Sequence, residues 1–296
     1  MKVRKIIVRI AKNLKFLPVK TILKLRHEYY TGKILNLKNP KEFNEKIQWL
    51  KLYYHNPLLT KLACKFNVRS YVEEKIGNKY LNELYGVYEN VEDINFKNLP
   101  NSFVIKGVHG SSLNMIVEDK QQLDLVAVKA KLNKWLTHNQ YKKVGFEWAY
   151  KNIKPLIIFE KFLEESGTKV LTDYKFYCFN GVPKYVQVIL GRGINEQQCF
   201  YDLNWEKTPF IKSGKVFCDQ PIEEPSNFEE MKSLAHKLAG SLPFSRVDFY
   251  AIEGKTIFGE ITFYPSDGKK DFTPNMYNKL LGDLIILPDV SALMSW

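Results

Sequence analysis

From Ser245 to Phe263, apolar and polar residues alternate, and the stretch predicts a β-hairpin. Val247, Phe249, Ile257 and Ile261 are expected on one face, with Arg246, Asp248, Glu260 and Thr262 on the other. That arrangement requires an odd turn, most simply Glu253-Gly254-Lys255. A two-residue turn, Glu253-Gly254, would put Asp248 and Glu260 on opposite faces. Upstream, Phe43, Ile47, Leu50 and Tyr54 recur at helical spacing, and Pro57 stops the pattern. A second helix is expected from about Leu58 to Ile76, closed by Gly77. Further helices are expected within residues 120–140, ending near Trp135, from Phe228 to Ala239 before Gly240, and from Met276 to Ile286. Strands are predicted at Ser102–Lys106, Asn114–Val117 and the apolar run Pro155–Leu163. Asp173–Phe179 and Lys184–Leu190 flank Asn180-Gly181, the strongest short hairpin signal. Tyr80–Tyr88 is mixed and short, and residues 201–226 are rich in turn formers and read as irregular.

The first thirty residues depart from this pattern. Val3, Ile7, Ile10, Leu14 and Leu17 mark one apolar helical face, while Lys2, Arg4, Lys5, Arg9, Lys12, Lys15, Lys20, Lys24 and Arg26 face a single acid, Glu28. Such a helix suits either an anionic membrane surface or packing on the chain's own core. The whole chain has 296 residues, with Lys+Arg 44 against Asp+Glu 32 and a net charge of +12, which favours anionic partners. Its length allows one large or two ordinary domains. Cys64, Cys178, Cys199 and Cys218 show no metal or disulfide spacing and fit a reducing cytosol. No apolar run approaches a membrane span, and no secretory leader is recognisable, so a cytoplasmic protein is expected, peripheral at most to the inner leaflet.

Chemistry enters with the late hairpin. Facing carboxylates at Asp248 and Glu260 would lie within about 5 Å at Cβ and repel unless a cation lies between them. Hard oxygen donors of this kind suit Mg²⁺ held jointly with phosphates. Gly107-Val108-His109-Gly110-Ser111-Ser112 joins two strands, with Lys106 at its base. Glycine and serine there bring N–H and hydroxyl donors close to phosphate oxygens. The lysine precedes the loop and no helix follows it, which excludes a Walker loop. Asp173 and Lys175 share a strand face, and Arg192 follows the next strand.

Taken in order, these elements resemble the ATP-grasp superfamily, and most closely the TupA-like ATP-grasp family of surface-polysaccharide biosynthesis. The resemblance runs from about Asn39 to Pro265, through the stretches 39–50, 103–106, 109–111, 173–176 and 259–263. It implies an α+β fold of two α+β subdomains with nucleotide between them, behind a helical N-terminal region. The corresponding boundaries are 1–36 for the basic segment, 37–100 for the helical region, 101–165 for the small subdomain and 166–296 for the C-terminal one. No Rossmann-like βαβ pattern precedes Ser102.

By the same resemblance, Lys65 and Lys106 would hold the phosphates of ATP under a lid of His109, Gly110, Ser111 and Ser112. Glu160, Lys161, Phe162 and Leu163 would form the adenine hinge, with Asp173 nearby. Asp248 and Glu260 would bind Mg²⁺, with Thr262 where the superfamily has Asn. Arg246 would stabilise transition-state charge, and Lys175 and Arg192 would grip phosphate or the acceptor carboxylate. The implied reaction is ATP-dependent amide formation through an acylphosphate. An amino acid or amino sugar would join a uronic-acid carboxylate, and no nucleic-acid partner is expected. A glycosyltransferase or sugar kinase of the same pathway, and a non-catalytic polyanion-binding protein, are the competing readings.

Overall fold

The computed structural model describes residues 17–143, 145–164, 171–191 and 193–289. Most of the predicted basic N-terminal face, Val3 to Leu14, and Arg192 lie outside the described residues. Helix α1 (Val19–Thr31) ends at Gly32, whose φ of +75° closes the helix in a left-handed cap. It buries Ile22, Leu23 and His27 while Lys20 and Lys24 stay exposed. Helix α2 (Phe43–Tyr53) starts with a capping box between Glu42 and Glu45. Among the described residues, no helix is long and apolar enough to cross a membrane.

The helix expected over 58–76 is two helices, α3 (Pro57–Ala63) and α4 (Val68–Ile76). Cys64 takes an extended conformation between them, and the Lys65 N–H donates to the Val108 carbonyl at 3.2 Å. A tertiary hydrogen bond thus replaces a helical one, and the break turns Lys65 toward the Gly/Ser loop.

The first sheet is fully antiparallel. Its strands β1 (Leu84–Tyr88), β2 (Phe103–Gly107), β3 (Asn114–Val117) and β4 (Ile157–Lys161) lie in the order β1-β4-β2-β3. β1 comes from the stretch read as mixed, within the segment expected to be helical. Helix α5 (Leu125–Leu136) covers this sheet with Val128, Leu132 and Trp135, which pack with Phe103, Ile105, Ile157 and Phe159. Helix α6 (Gln140–Lys143) follows directly.

The second sheet contains β5 (Asp173–Phe179), β6 (Val182–Leu190), β7 (Gln197–Tyr201), β9 (Val216–Phe217), β10 (Phe244–Ile252) and β11 (Lys255–Thr262), in the order β11-β10-β5-β6-β7-β9. The region read as irregular contributes β9 and also β8 (Ile211–Lys212), which pairs with β12 (Phe272–Thr273). Helix α7 (Phe228–Ala239) packs on one face of the second sheet, where Phe228 stacks on Phe176 at 5.8 Å. On the other face Phe43 meets Phe244 edge-on at 5.0 Å. Helix α8 (Met276–Asp283) is shorter than expected, ending before Leu284.

The β10–β11 hairpin corrects the expected turn. Ile252 pairs with Lys255 across the two-residue turn Glu253-Gly254, with φ of +50° and +75°. Such a turn alone would send Asp248 and Glu260 to opposite faces. A bulge between Asp248 and Phe249 prevents this: Phe249 pairs with Phe258, whereas Asp248 pairs with Glu260. The extra residue, Gly259, puts itself and Glu260 on the same side. Phe258, 6% exposed, takes the core position expected for Ile257, which is only half-buried. Phe258→Ala should therefore cost about 3 kcal/mol or more in urea unfolding. Ile257→Ser should cost under about 1 kcal/mol, and the reverse order would refute this register.

Candidate active site

The bulge gathers a charged cluster on one face of the second sheet. Arg246 Nε and Nη2 donate to the two Asp248 carboxylate oxygens, each at 2.7 Å. Nη2 also donates to Glu260 and to the Thr262 hydroxyl, both at 3.1 Å. Burial pulls the Arg246 pKa down, but the neighbouring Asp248 carboxylate more than offsets it, and the net shift is upward. Lys175 Nζ donates to Asp173 at 2.9 Å and to Asp248 at 2.7 Å. Expected to grip phosphate or acceptor, Lys175 is instead buried between two carboxylates of its own chain.

The acidic donors of this face suit Mg²⁺. Asp248 and Glu260 oppose each other as expected, and 42% of the Glu260 side chain is exposed. Arg246 stands as the cation between them. Two carboxylates fit an ion that takes one or two from protein and the rest from phosphate and water. Thr262 bonds to Arg246 and Glu260, which suits orienting Glu260. Among the described residues, no group of three or more His, Cys, Asp or Glu forms a self-sufficient metal cage.

The facing wall belongs to the first sheet and the Gly/Ser loop. Lys106 Nζ is 2.6 Å from one Glu160 oxygen, and Arg69 Nη1 is 3.3 Å from the other. Arg69 also donates to the Asn82 carbonyl at 2.8 Å. Lys65 Nζ donates to the Gly110 carbonyl at 2.8 Å, and burial lowers its pKa. Glu160, expected in the hinge, turns its carboxylate into this cation group, leaving Lys161, Phe162 and Leu163 along the neighbouring cavity.

Behind the loop, Gln140 Nε2 donates to the Ser111 hydroxyl at 2.8 Å, and the Gln140 carbonyl oxygen meets His138 at 3.0 Å. A Cβ on Gly110 would approach that Gln140 oxygen to 3.0 Å, so glycine lets the loop lie against it. His109, expected in the lid over the phosphates, is 3% exposed, and its Nε2 donates to the Trp135 carbonyl at 2.9 Å. Burial lowers its pKa.

Between the walls lies a cavity of about 250 Å³, lined by Lys65, Lys106, Ser112, Lys175, Asp248 and Glu260 among others. A second cavity of about 480 Å³ continues along Phe162, Leu163, Leu171, Asp173 and Tyr250. Asn82, Lys106, Asn114, Leu163 and Tyr250 border both. Sequence reasoning missed Arg69, Asn82, Gln140 and Tyr250. Arg69 and Asn82 had no local motif; each gains its place only through the tertiary pairing with Glu160 and Lys161.

Residues 45–286 match the family model for TupA-like ATP-grasp proteins, so this is an ATP-grasp protein. More narrowly, the chain belongs to the TupA-like ATP-grasp family. The α+β ATP-grasp fold expected from the sequence is the fold observed. No curated protein matches the chain. Among solved structures it is similar to a D-alanine–D-alanine ligase from Bacillus anthracis, at 18% identity and a TM-score of 0.46, over 77% of this chain and 67% of that one. The Helicobacter pylori D-alanine–D-alanine ligase gives 18% and 0.45 over 84% and 67%. An L-amino acid ligase from Bacillus licheniformis gives 11% and 0.43 over 84% and 54%.

One supporting group carries a pH signature. Burial pushes the Glu147 carboxyl up to about 7, and Gln140 bonds to it from the lid side. A carboxyl with a raised folded-state pKa binds more protons folded than unfolded between its usual value near 4.5 and about 7. Its stabilising contribution is complete below that window and lost as pH rises through it. Glu147→Gln should flatten the fall in stability between pH 4.5 and 7, measured by urea unfolding; an unchanged slope would contradict the assignment.

Proposed function

We propose that this protein is an ATP-dependent ligase that joins a carboxylate to an amine, releasing ADP and phosphate. The observation carrying this reading is the pairing of opposite walls across one cavity. Lys65, Lys106 and the Ser111-Ser112 loop line one side; Asp248 and Glu260 line the other. Such a cleft suits a triphosphate bridged by a divalent ion. ATP phosphates would lie against Lys65 and Lys106 under Gly110, Ser111 and Ser112, with adenine along Lys161–Leu163 and Asp173. Asp248 and Glu260 would hold Mg²⁺, which would supply charge neutralisation at the phosphates.

A carboxylate resists nucleophilic attack because attack builds further negative charge on it. Transfer of the γ-phosphoryl group to the carboxylate oxygen breaks the bond to ADP and leaves an acylphosphate. Amine attack on its carbonyl forms the amide, expels inorganic phosphate and releases a proton to water. Arg246 is already ordered by Asp248, Glu260 and Thr262, so its guanidinium needs no reorganisation to meet the developing oxyanion. Lys175 fixes Asp173 and Asp248 and serves as a positioning residue. Arg192 keeps its proposed role at the acceptor carboxylate from sequence alone.

Family membership and the basic excess of the chain support an acidic, uronic-acid-containing surface polysaccharide as the carboxylate partner, with an amino acid or amino sugar as the amine. Exposed Lys20 and Lys24 on α1 support association with an anionic inner leaflet. Their joint change to Glu should weaken sedimentation with phosphatidylserine vesicles; equal sedimentation would remove that proposal. For the reaction itself, Glu260→Gln should lower Mg²⁺-dependent ADP release by on the order of 10²-fold or more, with little change in melting. Near wild-type turnover would refute the metal assignment.

A further inference from the structure

Gln140 opens the short helix α6 and is 2% exposed. The Asn139 side chain accepts from the Lys142 N–H at 2.9 Å and so caps the turn that carries Gln140. The three polar contacts of the Gln140 amide fix which way round it sits. Hydrogen bonding from Gln140 favours the ionised Glu147 carboxylate, and only the amide nitrogen can donate such a bond. The same nitrogen donates to the Ser111 hydroxyl at 2.8 Å. The amide oxygen is left to accept from His138 Nε2 at 3.0 Å. A flipped amide would set its oxygen against the Glu147 carboxylate.

This orientation decides what Ser111 can do. A serine hydroxyl has one proton to donate and two lone pairs to accept with. Gln140 occupies one lone pair, and among the described residues no acceptor takes the Ser111 proton. Ser111 is exposed and lines the cavity beside Lys65 and Lys106. Accepting from the amide also polarises the O–H bond and makes it a stronger donor. Phosphate oxygens accept, so this is the polarity that a nucleotide requires. The loop itself is held by protein contacts. Lys65 Nζ donates to the Gly110 carbonyl at 2.8 Å, His109 Nε2 to the Trp135 carbonyl at 2.9 Å, and the Gly107 N–H to the Leu113 carbonyl at 2.8 Å. Ser112 takes a φ of +60°, a left-handed conformation that serine keeps only where its surroundings impose it.

We propose that Gln140 is a positioning residue that sets the Ser111 hydroxyl as a hydrogen-bond donor to the nucleotide phosphates. The inference rests on the ligase reading and deepens it. Gln140 is buried behind the loop and acts only through Ser111. A donor preset in this way binds phosphate without the entropy cost of being turned toward it. Loss of Gln140 should therefore matter only while the Ser111 hydroxyl is present.

The test is a double-mutant cycle on the full chain, read by calorimetric titration with the non-hydrolysable ATP analogue AMP-PNP and Mg²⁺. Gln140→Met keeps the side-chain length and removes the donor. Ser111→Ala removes the other end of the same contact from an exposed position. Each change alone should weaken Mg·AMP-PNP binding by about five- to tenfold. The two together should weaken it by no more than about twofold beyond either alone. Side-chain amide NMR of Gln140 gives a reading that needs no change at Gln140 itself. Mg·AMP-PNP should shift the Nε2 proton resonances in the wild type and leave them in place in Ser111→Ala. Additive losses in the cycle, a Ser111→Ala protein that binds like the wild type, or equal amide shifts with and without the hydroxyl would overturn the assignment and leave the ligase reading standing. A wild type that binds no Mg·AMP-PNP would overturn both.

Discussion

One buried guanidinium holds the cleft together. Arg246 reaches Asp248, Glu260 and Thr262 at once, and so allows two carboxylates to face each other across neighbouring strands. At 4 Å and an intermediate effective dielectric, two like charges repel by about 4 kcal/mol. Lys175 extends the same alternation to Asp173. The sheet face therefore runs acid, base, acid, base, acid, with one acid in excess. The wall opposite, built from Lys65, Arg69, Lys106 and Glu160, has two bases in excess. Walls of opposite sign across so small a space suit a polyanion on one side and its counter-ion on the other.

Local backbone irregularities produce this opposition. The Gly259 bulge keeps Glu260 with Asp248 in spite of a turn of the wrong parity. The break after Ala63 frees Lys65 to reach Gly110. Gln140 and Gly110 then fix the serine loop from behind. Each device spends regular hydrogen bonding in one element to aim one functional group. The buried His109 belongs with these supports: it ties the loop to the end of α5 through the Trp135 carbonyl.

Much of the fold was legible because its signals are local. Period-2 alternation marked β10, Asn180-Gly181 marked the turn after β5, and Gly240 marked the end of α7. The candidate site was legible only as residue types in order, and Lys106, Ser111, Ser112, Asp248 and Glu260 do line one cavity. What stayed hidden was set by partners far along the chain. Sequence shows the alternation of a hairpin but cannot count the residues that a bulge absorbs, so Ile257 and Phe258 exchanged faces. The fate of Lys175 depends on Asp248, 73 positions away, and that of Glu160 on Arg69, 91 positions away.

The most direct measurement is an anomalous-scattering map from crystals grown with ADP and Mn²⁺ in place of Mg²⁺. The metal peak should lie within coordinating distance of both Asp248 and Glu260, with the diphosphate against Lys65 and Lys106. A bound nucleotide whose metal touches neither carboxylate, or one seated outside the cavity between the two sheets, would contradict the central claim.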